Sequence, residues 1–218
     1  MMSKRQLGLA AILLGLCATV LADPSSNVAF TTEVRNMVAE GDVEAGKQKA
    51  ATCTGCHGQK GVASNPSYPS LAGQNPNYTY KQLRDYKDGS RKSSLMRGLV
   101  QGLSKQDMAN IAAYYASLDL PPPKEAQGDL SKAEHLAKRG DGERMVPACQ
   151  ACHNSGKGQQ VAVPGLSGQN AQYTAKTLRA YKEGSRDNDI YSVMGKIAEA
   201  LTSEEIKQLA DYYAGLAH

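Results

Sequence analysis

Two stretches of this chain set two cysteines and a histidine at one spacing: Cys53-Thr54-Gly55-Cys56-His57 and Cys149-Gln150-Ala151-Cys152-His153. Thiols three residues apart can reach the two vinyl groups on one edge of a haem. A histidine directly after the second thiol then lies under the ring, where a neutral imidazole nitrogen can ligate iron. Each copy therefore reads as a covalent c-type haem attachment site, with Cys53, Cys56, Cys149 and Cys152 as attachment residues and His57 and His153 as axial ligands. A zinc site would need four ligands at separated positions, and a thioredoxin-like dithiol would need a βαβ setting. Neither pattern is visible.

The fifth cysteine, Cys17, falls in a different kind of segment. Lys4 and Arg5 precede an uncharged apolar run from Leu7 to Leu21, and Val20-Leu21-Ala22 offers a cleavage site before Asp23. The run is about 15 residues, short of the roughly 20 that span a bilayer. Residues 1–22 are therefore expected to be a signal peptide for export, with a retained anchor as the alternative. Its removal would take Cys17 with it and leave every remaining thiol in the two motifs.

Charge says little about partners. The 25 basic and 21 acidic residues are scattered, and the net charge is +4. No basic run suggests nucleic acid.

The motifs lie 96 positions apart, inside a longer repeat. Leu71-Ala72-Gly73-Gln74-Asn75 matches Leu166-Ser167-Gly168-Gln169-Asn170. Leu83-Arg84-Asp85-Tyr86-Lys87-Asp88-Gly89-Ser90-Arg91 matches Leu178-Arg179-Ala180-Tyr181-Lys182-Glu183-Gly184-Ser185-Arg186, and Tyr114-Tyr115-Ala116 matches Tyr212-Tyr213-Ala214. The offset runs 96, 95, then 98, so the second copy carries a small insertion after Arg186. The chain is a duplicated domain.

The expected organisation is an N-terminal extension of unknown role at 23–40, a first haem domain at 41–118, a linker at 119–128 and a second haem domain at 129–218. Pro121-Pro122-Pro123 cannot continue a helix and favours a stiff, extended linker that keeps the two centres close. Each lobe reads as all-α. Asp42 caps a helix running into the first motif. Asn75-Pro76 and Asn170 start, and Gly89 and Gly184 stop, the middle helices. Ser104 to Asp107 and Thr202 to Glu205 open the last helices as capping boxes. Met108, Ile111, Ala112, Tyr115 and Leu118, like Ile206, Leu209, Ala210, Tyr213 and Leu216, form inward stripes at helical spacing.

The repeat also tests the second axial position. A ligand used twice should recur at equivalent sites. Met96 and Met194 do, each 18 residues before the Tyr-Tyr-Ala segment. Met108 falls opposite Ile206, Met145 opposite Lys49, and Met37 has no useful counterpart. His135 falls opposite Ala39, and His218 ends the chain. Met96 and Met194 are thus expected to be the distal iron ligands, against the general alternative of core filler. Pro69 and Pro164 could offer carbonyls to the imidazole N–H groups, or be ordinary turn prolines. Arg84, Arg179, Tyr86 and Tyr181 could meet haem propionates, or be a solvated face with an inward tyrosine.

On these residues, over about 41–218, the chain resembles the two-haem cytochrome c4 family of periplasmic electron carriers. The resemblance rests on the paired motifs, the P-x-L-x-G-Q-N segments at Pro69 and Pro164, the L-R-x-Y-K-x-G-S-R segments, Met96 and Met194, and the Tyr-Tyr-Ala helix ends. It implies two tandem class I cytochrome c domains, two covalently bound haem c groups with His/Met irons, and propionate edges facing across the lobe boundary. It also implies redox partner proteins: a donor of the quinol-cytochrome c reductase type and a terminal oxidase acceptor, often cbb3. No catalytic residue and no nucleic acid are expected. The stretch at 23–40 departs from the family and leaves docking or peripheral membrane association open. Two other functions compete: a c4-like electron-transfer subunit of a periplasmic dehydrogenase, and a two-haem peroxidase with one open iron.

Overall fold

The computed structural model describes residues 25–125, 128–153 and 161–216. The expected signal segment at 1–22, with Cys17, lies outside them. Among the described residues the architecture is helical, with one isolated antiparallel bridge between Asp141 and Val146.

Lobe one contains α1 (Thr32–Ala39), α2 (Val43–Lys49), α3 (Thr54–His57), α4 (Pro76–Asp88), α5 (Ser94–Val100) and α6 (Lys105–Ser117). The caps explain these limits. Asp42 accepts from Ala45 N, and Asn75 from Asn77 N and Tyr78 N with proline at N1. Gly89 ends α4 in the left-handed region, and Ser104 and Asp107 close a full capping box. The α6 stripe is buried at Met108, Ile111, Ala112 and Tyr115, and α1, α2 and α4 pack against it. At Gly46 a Cβ would lie 2.0 Å from the Asn110 carbonyl oxygen, so only glycine lets α2 cross α6 this closely. The N-terminal extension belongs to this core: Val38 is buried, with Val28, Val34 and Met37 packed beside it.

Lobe two contains α7 (Ser131–Arg139), α8 (Gln150–His153), α9 (Ala171–Lys182), α10 (Val193–Ala200) and α11 (Ser203–Gly215). Its core gathers Ala133, Leu136 and Ala137 of α7 against Ile206, Leu209, Ala210 and Tyr213 of α11. Thr202 and Glu205 repeat the capping box.

Three local departures from strict repetition stand out. Asn170 makes no cap bond: its Oδ1 accepts from Lys124 of the connector, while its amide donates across the lobe boundary. Helix α9 ends at Lys182 with Glu183 as C-cap, and Gly184 follows in the left-handed region. Helix α7 packs on α11 as α2 packs on α6, but ends farther from its motif. The intervening turn is held by Arg144, which donates to Asp141 and Glu205. A fixed offset of 96 therefore pairs the wrong residues upstream of Cys149, and Met145 lies exposed in that turn.

The proline segment is packed rather than free. Leu120 sits where a Cβ on Gly73 would be, and the Pro121 carbonyl where one on Gly168 would be. The Lys124 N–H donates to the Ala214 carbonyl at 2.8 Å. The glycines of both L-x-G-Q-N segments thus admit the connector to the lobe boundary.

Candidate functional site

Each attachment motif is a single helical turn. In lobe one, Cys53 precedes α3, Cys56 and His57 lie on it, and Gly58 stops it at φ +80°. In lobe two α8 carries Cys152 and His153, with Cys149 just before it. The four described cysteines are half-buried and form no disulfide. Burial pushes the Cys53 and Cys149 thiols up. That is opposite to the lowered thiol of a redox dithiol.

The histidines are prepared as ligands. His57 Nδ1 lies 2.8 Å from the Pro69 carbonyl oxygen, and His153 Nδ1 lies 2.8 Å from that of Pro164. A carbonyl can only accept, so Nδ1 carries the proton and Nε2 keeps its lone pair for a metal. Burial holds both imidazoles below their ordinary pKa, against the smaller opposing pull of the proline carbonyl, and so favours the neutral ligand form. The buried Tyr115 and Tyr213 hydroxyls find only the weakly bonding Cys53 and Cys149 thiols beside them. Paired thiols, a fixed imidazole and a buried hydroxyl with no strong partner, repeated at equivalent positions, fit a large covalently held cofactor. Among the described residues, no cluster of three or more His, Cys, Asp or Glu could hold a bare metal ion.

Met96 lies on α5 and Met194 on α10, both half-buried. Met96 packs against the first core. Met108 is fully buried within it.

Between the lobes lies a polar seam with near two-fold symmetry. The Gln74 side chain donates to the Gly165 carbonyl at 3.1 Å and accepts from Gly165 N at 2.8 Å. Its repeat partner Gln169 does the same with Ser70, at 2.9 Å in both directions. Asn75 donates to the Val163 carbonyl and Asn170 to that of Tyr68.

The seam continues into a buried cationic cluster. Arg91 donates to the Tyr173 hydroxyl at 3.0 Å, and Arg186 to that of Tyr78 at 3.2 Å. Each guanidinium lies 4.6 Å over a ring of its own lobe, Tyr86 or Tyr181. Gln82 Oε1 accepts from both arginines. Burial pushes the Tyr86 hydroxyl up to about 12. Burial would also raise Tyr173, but Arg91 and Arg186 outweigh it and bring it to about 7. A carboxylate in this cluster, Asp85, already pairs with Lys81 at 2.5 Å. The buried Arg186 guanidinium and the half-buried one of Arg91, with only phenol and amide partners, call for further anionic groups.

Arg84 and Arg179 lie elsewhere: Arg84 donates to Tyr80, and Arg179 is exposed. Tyr86 and Tyr181 do reach the seam. The residues that sequence reasoning missed are Arg91, Arg186, Tyr78, Tyr173, Gln74 and Gln169. The signal was present, since all fall in or beside the repeated segments.

A cytochrome c family model matches residues 43–119 and again 140–216. The chain is 41% identical over 181 residues to cytochrome c4 of Pseudomonas aeruginosa, covering 82% of this chain and 90% of that one. It belongs to the two-haem cytochrome c4 family. The crystal structure of reduced recombinant cytochrome c4 from Pseudomonas stutzeri superposes with a TM-score of 0.76 at 38% identity, over 81% of this chain and all of that one. The chain is also 36% identical to a thiosulfate dehydrogenase electron acceptor of Stutzerimonas stutzeri, over 77% of this chain and 80% of that protein. As a member of that family, it folds as two tandem cytochrome c domains, carries two covalently bound haems and transfers electrons.

Proposed function

We propose that this protein is a periplasmic shuttle that accepts electrons from a quinol-cytochrome c reductase-type donor and delivers them to a terminal oxidase such as the cbb3 type, and that it catalyses no substrate chemistry. The haem irons supply the redox change, one electron each between ferrous and ferric. In this reading Cys53 and Cys56, and Cys149 and Cys152, would hold the haems, and His57 with Met96, and His153 with Met194, would supply the ligands to each iron. The carbonyls of Pro69 and Pro164 fix the imidazole tautomers. Arg91, Arg186, Tyr78 and Tyr173 hold the propionates at the boundary between the lobes. The haem domains take in 41–118 and 129–218, and Val28, Val34, Met37 and Val38 of the extension pack on the first.

The observation that carries the proposal is the duplicated, oppositely facing seam. It binds the lobes together and buries positive charge between them, where two haem edges would exchange electrons without a second diffusional encounter. Export rests on the expected signal at 1–22. Among the described residues no helix is long and apolar enough to cross a membrane.

The similarity to a thiosulfate dehydrogenase electron acceptor favours a second reading, in which a periplasmic dehydrogenase is the donor. Stopped-flow mixing separates these. The reduced protein should be oxidised within milliseconds to seconds by host membranes containing haem–copper oxidase, and only slowly by oxygen or peroxide alone. Fast reduction of the oxidised protein by thiosulfate with thiosulfate dehydrogenase would establish the second donor. Rapid peroxide turnover would instead make it a peroxidase.

A further inference from the structure

The near two-fold symmetry of the seam breaks at a buried cluster. Lys81, Asp85 and Asn188 are all but fully buried there, at 2%, 0% and 1% exposure. Lys81 Nζ donates to Asp85 Oδ2 and to the Asn188 carbonyl, both at 2.5 Å. The Asn188 amide donates to Asp85 Oδ2 at 2.6 Å and to Gln82 Oε1 at 3.1 Å. The N-terminal extension completes the set: Ser26 donates to Asp85 Oδ1 at 2.6 Å, and Ser25 to the Asp189 carbonyl. The equivalent of Asp85 in lobe two is Ala180, and Asn188 lies in the insertion that follows Arg186. Lobe two therefore cannot return this grip.

The grip has a specific target. Next to Asn188, Asp189 turns its carboxylate onto the start of α10, accepting from Met194 N at 2.6 Å and Gly195 N at 3.4 Å. Between them Tyr191 and Ser192 sit at φ +59° and +55°, a region costly for residues with a Cβ and kept only where surroundings impose it. In lobe one the corresponding support is local, with Ser93 Oγ accepting from Met96 N at 3.3 Å.

We propose that Asp85 and Lys81 of lobe one, with Ser26 of the extension, are positioning residues for Met194 in lobe two, so that one haem's distal coordination depends on contact between the lobes and the other's does not. The inference rests on the reading of Met194 as an axial ligand. A charge-assisted, fully buried anchor on Asn188 holds Asp189, Asp189 holds the first turn of α10, and that turn carries the thioether. The two haems become unequal although their attachment motifs are equivalent.

The test uses the holoprotein with Met96→Ala as background, so that all the ferric near-infrared methionine–iron absorption comes from lobe two. Adding Asp85→Asn, or separately Asn188→Ala, should weaken that band and speed carbon monoxide binding to the reduced lobe-two haem by roughly tenfold, the scale of one charge-assisted hydrogen bond. The same changes in a Met194→Ala background, which reports lobe one alone, should leave its band unmoved. Ser26→Ala should act in the same direction as Asp85→Asn but less. Gln74→Ala loosens the seam without touching Asn188 and should spare the band. An unchanged lobe-two band in both Asp85→Asn and Asn188→Ala overturns the proposal, as does equal loss in both lobes or reproduction of the effect by Gln74→Ala. If Met194→Ala alone leaves the band intact, the ligand reading itself has failed.

Discussion

Arg91 of lobe one donates to the Tyr173 hydroxyl of lobe two, and Arg186 of lobe two returns the same bond to Tyr78 of lobe one. Each lobe thus places a cation in the other's territory. The arrangement follows from the duplication: one segment copied twice becomes complementary to itself when the copies meet about a two-fold axis. A buried guanidinium is costly unless its charge is met. The nearby Asp85 is taken by Lys81, so both arginines remain to oppose anions brought by the cofactors.

Replacing either arginine should therefore lower haem potentials. A cation beside a propionate favours the ferrous state by offsetting the negative charge there. Arg91→Gln or Arg186→Gln should lower at least one potential by tens of millivolts, where about 59 mV is a tenfold change in a one-electron equilibrium. Potentiometric titration of each variant measures it. Unchanged potentials in both would mean that the cluster is structural only.

The paired amides set how firmly the lobes hold together. Gln74→Ala leaves the buried Gly165 N–H without its acceptor, and Gln169→Ala does the same to Ser70 N–H. An unsatisfied buried group costs about 1–3 kcal/mol. The two variants should lose similar stability in denaturant titrations, because their bonds are near copies. A large difference between them would show that the seam is unequal in energy despite its geometry.

The contiguous chemistry was legible in the sequence; the chemistry across the seam was not. Cys53, Cys56 and His57 lie within five residues, so their spacing states the cofactor directly. The helix limits at Asp42, Asn75, Ser104 and Thr202 follow from side chains that cap their own helices. Asp85 and Asn188 lie more than one hundred positions apart and read as ordinary surface polar residues until the fold joins them. Comparing the repeats could not reveal them either, since that comparison finds what both copies share and these residues break the likeness. Arg91 and Arg186 were shared, but nothing in the pattern distinguished them from Arg84 and Arg179. The role of 23–40 was hidden for a related reason: an eight-residue helix with one buried valine has little periodicity to read.

Acid should weaken the last helix of each lobe. Backbone and hydroxyl bonds from Ser104, with Lys49 adding to them, hold Asp107 down to about 2. The Arg144 guanidinium, with the Thr202 N–H, holds Glu205 below its ordinary value. A carboxyl depressed in the folded state binds protons more readily when unfolded. Its contribution is therefore present above the unfolded pKa, near 4, and is lost as pH falls toward about 2. Asp107→Asn should cost about 1 kcal/mol at pH 7, as a charged cap would, with salt trimming the effect at this partly exposed site. The gap from the parent should narrow steadily as pH falls from about 4 toward about 2. A gap independent of pH would assign the loss to packing rather than to charge.

The methionines give the sharpest separation of ligand from core. Met96 and Met194 lie half-buried on equivalent short helices, whereas Met108 is enclosed on α6. If the first two ligate iron, Met96→Ala and Met194→Ala should each remove about half of the near-infrared band, open one haem to carbon monoxide and lower that haem's potential, because a thioether favours ferrous iron. Met108→Ala should leave the band and both potentials in place and instead cost about 2–5 kcal/mol through the cavity it creates. Spectra, carbon monoxide titration and unfolding curves on the three variants test each part. Loss of the band in Met108→Ala together with its survival in Met96→Ala would show that equivalence between the repeats had picked out the wrong sulfur.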